Sequence, residues 1–150
     1  MTAISVIPPG LPLLLGALLL PLCTVRLRTL LVLGLPLLVL ALVWQLPAGT
    51  VLTLDFLGYE LAPVSDSRTG RLFATVFAIM AFAGGLFGLN HMRVPELSAA
   101  LLSAGSAISI AFAGDLVTLL VFWEALALAS TLLVWSARTP QSRDAGLRYL

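Results

Sequence analysis

The stretch Asp115-Leu-Val-Thr-Leu-Leu-Val-Phe-Trp-Glu-Ala-Leu-Ala-Leu-Ala-Ser-Thr-Leu-Leu-Val-Trp135 decides how the chain is read. It is long enough to cross a bilayer, which takes about 20 predominantly apolar residues. Inside it Glu124 is the one ionisable side chain. A carboxylate at bilayer depth costs at least ~2.5 kcal/mol, so a protein that keeps one generally binds an ion or relays a proton with it. Asp115, after Gly114, marks the interface, where its carboxylate can cap the helix through the first backbone N–H groups. Nine residues further along, at 1.5 Å per residue, Glu124 lies roughly 13–14 Å deeper, near the middle of a ~30 Å hydrocarbon core. A low dielectric disfavours the ionised form and a nearby cation favours it, and that competition lets a carboxylate change charge state. The competing assignment is a protonated glutamate making one interhelical hydrogen bond, a task that Ser or Thr performs at lower cost.

Composition extends this reading to the whole chain. Of 150 residues 60% are hydrophobic and 10% charged, with a mean hydropathy of +1.09; soluble domains average roughly 45–50% and 25%. The chain therefore reads as an all-α polytopic membrane protein forming one transmembrane domain over residues 1–150. A net charge of +1 gives no reason to expect a nucleic-acid partner. The eight basic residues are all arginine, and Cys23 is the single cysteine, which excludes an internal disulfide and a thiolate metal site. No phosphate loop, metal cluster or nucleophile–base pair is visible, so no cofactor and no covalent catalysis are expected. The N-terminus lacks a basic n-region and is interrupted by Pro8-Pro9-Gly10, so the first apolar segment reads as a retained span rather than a cleaved signal.

Five spans are expected: Leu11 to Val25, extended backward through residues 4–9; Leu30 to Leu46; residues 71–89; residues 97–113; and residues 116–136. Pro21 and Pro36 fall inside spans, where neighbouring helices can satisfy the freed backbone groups. Arg26, Arg28, His91, Arg93, Arg138, Arg143 and Arg148 gather on one side, and Asp55, Glu60, Asp66 and Asp115 on the other, against Arg68 and Arg71. The positive-inside rule makes the arginine side cytoplasmic and the N-terminus external. The external loop, residues 47–70, carries β-favouring flanks on either side of Asp55-Phe-Leu-Gly58 and reads as a short hairpin or as an amphipathic loop on the membrane surface. Asp144-Ala-Gly-Leu-Arg-Tyr-Leu150 reads as the start of a sixth helix, so the chain is expected to be the N-terminal portion of a longer protein.

Other polar residues are placed so that they could support Glu124. Thr131 lies seven positions on and shares its face; Ser130 lies beside it. Either hydroxyl could hold water or bond back to the i−4 carbonyl. Ser103, Ser106 and Ser109 recur at i, i+3, i+6 and suggest a tightly packed, slightly hydrated face, or packing alone. Gly84 and Gly88 form a GxxxG pair, a packing device. His91, in a cytoplasmic turn, could admit protons to a pathway or simply be solvated.

At Phe112-Ala-Gly-Asp115-Leu-Val-Thr-Leu-Leu-Val-Phe-Trp-Glu124 the sequence resembles the antiporter-like proton-translocating subunits shared by Mrp-type cation/proton antiporters and respiratory complex I, which carry a D-L-x-x-x-x-x-F-W-E pattern between their fourth and fifth helices. Leu133-Val-Trp-Ser, Arg143-Asp-Ala-Gly-Leu-Arg-Tyr149 and Ala62-Pro-Val-Ser-Asp66 are similar to further segments of that family, and the Ala-Leu-Ala-Ser-Thr run after Glu124 looks closest to its antiporter D-subunit branch. The resemblance implies a multi-pass subunit of a bacterial-type plasma membrane, assembled with other membrane subunits and moving H+ and Na+. It places the family's proton-translocating glutamate at Glu124, whose partner there is a lysine on a later broken helix; this chain contains no lysine. A membrane-arm subunit of an NADH–quinone oxidoreductase or a membrane-bound hydrogenase, with the redox chemistry in other subunits, and a non-transporting scaffold are the alternatives.

Overall fold

The computed structural model describes residues 7–136 together with Ser142, Ala145, Gly146 and Arg148. The order is α1 (Leu11–Leu19) running into a 3₁₀ turn (Leu20–Leu22), α2 (Val25–Gln45), β1 (Val51–Phe56), β2 (Tyr59–Ser65), α3 (Arg68–His91), α4 (Val94–Phe112) and α5 (Leu116–Ser136). Helices α2 to α5 are long and apolar enough to cross a membrane, and together they fit a multi-pass membrane protein.

Among the described residues four such helices stand where five spans are expected. The difference lies at the N-terminus. Pro8-Pro9-Gly10 delays the first helix to Leu11, and Pro21 tightens its end into a 3₁₀ turn because proline removes an N–H donor. What remains, Leu11–Leu22, reaches only about 18 Å, short of a ~30 Å core. The backward extension into residues 4–6 lies outside the described residues. So does most of the expected sixth helix, of which Ala145, Gly146 and Arg148 are helical.

Helix α4 is the hub. It packs against α1, α3 and α5, while α2 packs against α1 and α3. Small residues make the close approaches. A Cβ on Gly105 would stand 3.0 Å from the Leu13 Cβ and 3.1 Å from the Gly10 carbonyl oxygen, so the first turn of α1 lies directly on α4. In α3 the packed glycines are Gly70, Gly85 and Gly88, whereas a Cβ on Gly84 would meet nothing within 4 Å, so only Gly88 of the GxxxG pair packs closely.

Gly85 also answers Pro36. Proline inside α2 cannot donate to the Val32 carbonyl. Gly85 lies against that group, where a Cβ would come within 3.2 Å of its oxygen and 2.7 Å of Val32 Cγ1. The bare α3 backbone thus covers the carbonyl that the proline leaves without its helical donor.

The segment between α2 and α3 is an antiparallel hairpin, as the sequence flanks suggest, with Leu52 opposite Val64, Leu54 opposite Leu61 and Phe56 opposite Tyr59. Its two-residue turn takes positive φ at Leu57 (53°) and Gly58 (83°), the pattern of a type I′ turn.

The α2–α3 seam makes a direct prediction. Gly85→Ala forces Val32 aside and lowers stability by about 1–3 kcal/mol. Gly84→Ala, which adds a methyl into open space, raises it by up to about 1 kcal/mol through helix propensity. Thermal unfolding in detergent, followed by far-UV circular dichroism, distinguishes the two.

Candidate functional site

Helix α5 begins at a corner that the sequence marks with Gly114-Asp115. The Asp115 carboxylate accepts the Thr118 amide at 2.8 Å, which caps α5, and also accepts the Thr118 hydroxyl. It accepts the Ala62 amide of β2 at 2.7 Å, while the Ala62 carbonyl accepts the Gly114 amide at 2.8 Å. Both backbone groups of one hairpin residue are therefore tied to the α4–α5 corner. Gly114 permits this: a Cβ there would lie 2.9 Å from the Ala62 Cβ and 2.7 Å from that of Ser65. The Thr118 hydroxyl and then the Thr118 amide hold the Asp115 carboxyl below the usual carboxylate range.

A second carboxylate fastens the same end. Asp66 accepts Arg71 Nε at 2.6 Å and Nη2 at 2.9 Å, together with the Gly49 amide at 2.9 Å. Arg71 Nη2 also donates to the Leu46 carbonyl at 2.7 Å, so the end of α2, the turn after it and the first turns of α3 meet at one forked ion pair. Hydrogen bonding from Arg71 holds the Asp66 carboxyl low. Sequence reading placed these two residues only as charges on one side of the membrane. Their spacing of five spans the Ser67 cap, outside the i, i+3 and i, i+4 rules that reveal helix pairs.

Glu124 has a different setting. Helix α5 turns Thr118, Ala129 and Thr131 inward, all buried; Glu124 lies well round the helix from Thr118 and Ala129 and close in angle to Thr131, seven positions on. It is exposed, as are Leu120, Val121 and Leu128 around it, each at least 50% accessible. No hydrogen bond or ion pair engages it among the described residues. Its carboxylate thus stands at mid-helix on a broad apolar surface.

The remaining sequence candidates do not converge on Glu124. Ser130 donates to the Leu126 carbonyl at 2.8 Å and Thr131 to the Ala127 carbonyl at 2.9 Å, so both hydroxyls bond back to their own helix. Thr131, though close in angle to Glu124, is buried. His91 closes α3 at the end of the bundle opposite the hairpin, its Nδ1 2.9 Å from the Phe87 carbonyl and its ring stacked on Phe87 at 4.5 Å. On α4, Ser109 donates to the Gly105 carbonyl at 2.9 Å. The hydroxyls of Ser98, Ser103 and Ser106 are buried without a partner among the described residues. Ser103 opens on a groove of about 430 Å³ between α3 and α5, floored by Ala100, Ala104 and Ala107. Among the described residues no cluster of His, Cys, Asp or Glu is arranged to hold a metal ion.

Comparison of the chain with protein-family models, with curated proteins and with solved structures finds no match.

The corner yields a pH prediction. A carboxyl held below its unfolded value of about 3.9 contributes stability above that value and loses it as pH falls through the lower folded value. The hairpin attachment is therefore constant through neutral pH and weakens only below about pH 4. Asp115→Ala mimics the acid limit at pH 7. It accelerates amide exchange at Ala62 and Thr118 while leaving the α2–α3 seam protected, as hydrogen exchange with mass spectrometry would show.

Proposed function

We propose that the chain is an ion-translocating membrane subunit, of the antiporter-like family that the D-L-x-x-x-x-x-F-W-E stretch resembles, with Glu124 as its protonatable group. The observation that carries this reading is the contrast between two carboxylates on one helix. Asp115 at the helix end has every near neighbour a carboxylate needs. Glu124, at bilayer depth, has none among the described residues and faces outward.

A lone carboxylate on a lipid-facing surface is expensive. Two physical states relieve that cost: the neutral acid, or the anion beside a cationic or hydrogen-bonding group from another element that covers the face. Exchange between them is the elementary step of proton movement. The glutamate takes up a proton when the cation withdraws and releases it when the cation returns. In the family that the stretch resembles the partner is a lysine, and this chain contains none, so we assign that partner to another segment or subunit. This function places the chain in a hetero-oligomeric assembly of a bacterial-type plasma membrane, exchanging Na+ for H+, with the arginine-rich side cytoplasmic.

The test is Glu124→Gln in the assembled complex, measured as cation-driven proton flux in sealed vesicles. Flux is abolished while assembly and helix content persist, and Glu124→Asp retains part of it. Normal flux in a normally assembled Gln variant would refute the proposal. Failure of the complex to assemble with either variant would instead assign Glu124 to interhelical contact.

A further inference from the structure

The hairpin carries a surface that neither its own packing nor Glu124 explains. Cross-strand register places Leu52 with Val64, Leu54 with Leu61, and Phe56 with Tyr59 on one face. Val64 is fully buried in the bundle core and Leu52 packs against that core. Leu54, Phe56 and Tyr59 continue the same face outward at 53%, 62% and 71% exposure. Beyond Val51 at its base, the opposite face is polar, with Thr53 and the directly paired Asp55 and Glu60. Two like charges facing each other across a ladder are tolerable only in water, which fixes that face as the solvated one.

The turn adds an independent oddity. Leu57 adopts φ 53°, a left-handed conformation that costs a non-glycine residue free energy and is normally given to Asn, Asp or Gly. It is also 85% exposed. A strained and solvated leucine is doubly unfavourable at a hairpin tip; placing its side chain in an apolar medium removes the solvation cost and offsets the backbone strain.

The height of the hairpin identifies that medium. Ala62 is fastened by both backbone groups to Asp115 and Gly114, where α4 gives way to α5, and Asp66 is forked by Arg71 at the start of α3. The base of the sheet is thus held level with the ends of the long apolar helices. A phenylalanine and a tyrosine side by side on one face at that level are the residues of a membrane–water interface, where the rings sit among headgroups and the phenol hydroxyl stays wet.

We propose that the distal half of the hairpin is a lipid-surface anchor, with Leu54, Phe56, Leu57 and Tyr59 set into the interfacial layer beside the bundle and Asp55 and Glu60 facing water. The occupant of this face is the bilayer, not another protein.

Site-specific fluorescence tests it in the native membrane with the whole assembly present. Cys23 is the sole cysteine, so a Cys23→Ser background allows an environment-sensitive dye to be placed at Phe56→Cys and, on the opposite face, at Thr53→Cys. The dye at 56 shows blue-shifted emission, quenching by shallow spin-labelled lipid and protection from iodide, whereas the dye at 53 is quenched by iodide. Iodide quenching at 56 without lipid quenching overturns the proposal. Protection at 56 from both quenchers also overturns it and assigns the face to a protein partner. Should Phe56→Cys fail to fold, Leu57→Cys, at the exposed turn, reports on the same layer with the same criteria.

Discussion

Hydrocarbon offers no hydrogen bonds, and that single constraint organises the chain. Each long helix satisfies its own backbone along its length, so the structural problems are confined to places where the helical ladder is interrupted. Those places are where specific residues appear. Ser67 accepts the Gly70 amide at the start of α3. Glu96 accepts the Arg93 amide and its guanidinium at the start of α4, and Asp115 serves α5. Where Pro36 breaks the ladder inside α2, Gly85 brings a bare backbone against the stranded carbonyl. The hairpin follows the same logic, because Ala62 has both of its backbone groups taken up by the α4–α5 corner.

Hydropathy made the long helices and the hairpin legible, since both depend on local periodicity and on turn residues such as Gly58. The first span was not legible. The fifteen predominantly apolar residues from Leu11 to Val25 look continuous to a hydropathy window, yet Pro21 acts on backbone donors, which hydropathy does not weigh. Of the GxxxG pair Gly88 packs and Gly84 does not, for a related reason: the spacing marks a face, and the neighbour at Val32 meets Gly85 instead. Asp66 and Arg71 escaped notice because their contact joins the end of one element to the second turn of another.

Glu124 was the clearest candidate from sequence, and its surroundings were the least readable. A lone acid in an apolar run shows in composition; the direction it faces depends on which stripe of α5 meets α4. The small residue Ala129 supplies that stripe, and the larger Leu120, Val121 and Leu128 lie with the acid on the outer side. Asp115 and Glu124 are chemically the same group on one helix, yet one is fully hydrogen-bonded at a helix end and the other stands in the open. Depth and neighbours, more than residue type, separate the two carboxylates.

Among the described residues α5 rests on α4 and, at its first turn, on the hairpin. Its position is therefore thermodynamically linked to whatever covers its other side. A partner that bound that face would stabilise the chain by mass action, by an amount that rises with the logarithm of its concentration relative to its dissociation constant. With such a partner bound, the apparent melting temperature would be a property of the assembly, and titrating the partner against unfolding would measure the affinity of that interface directly.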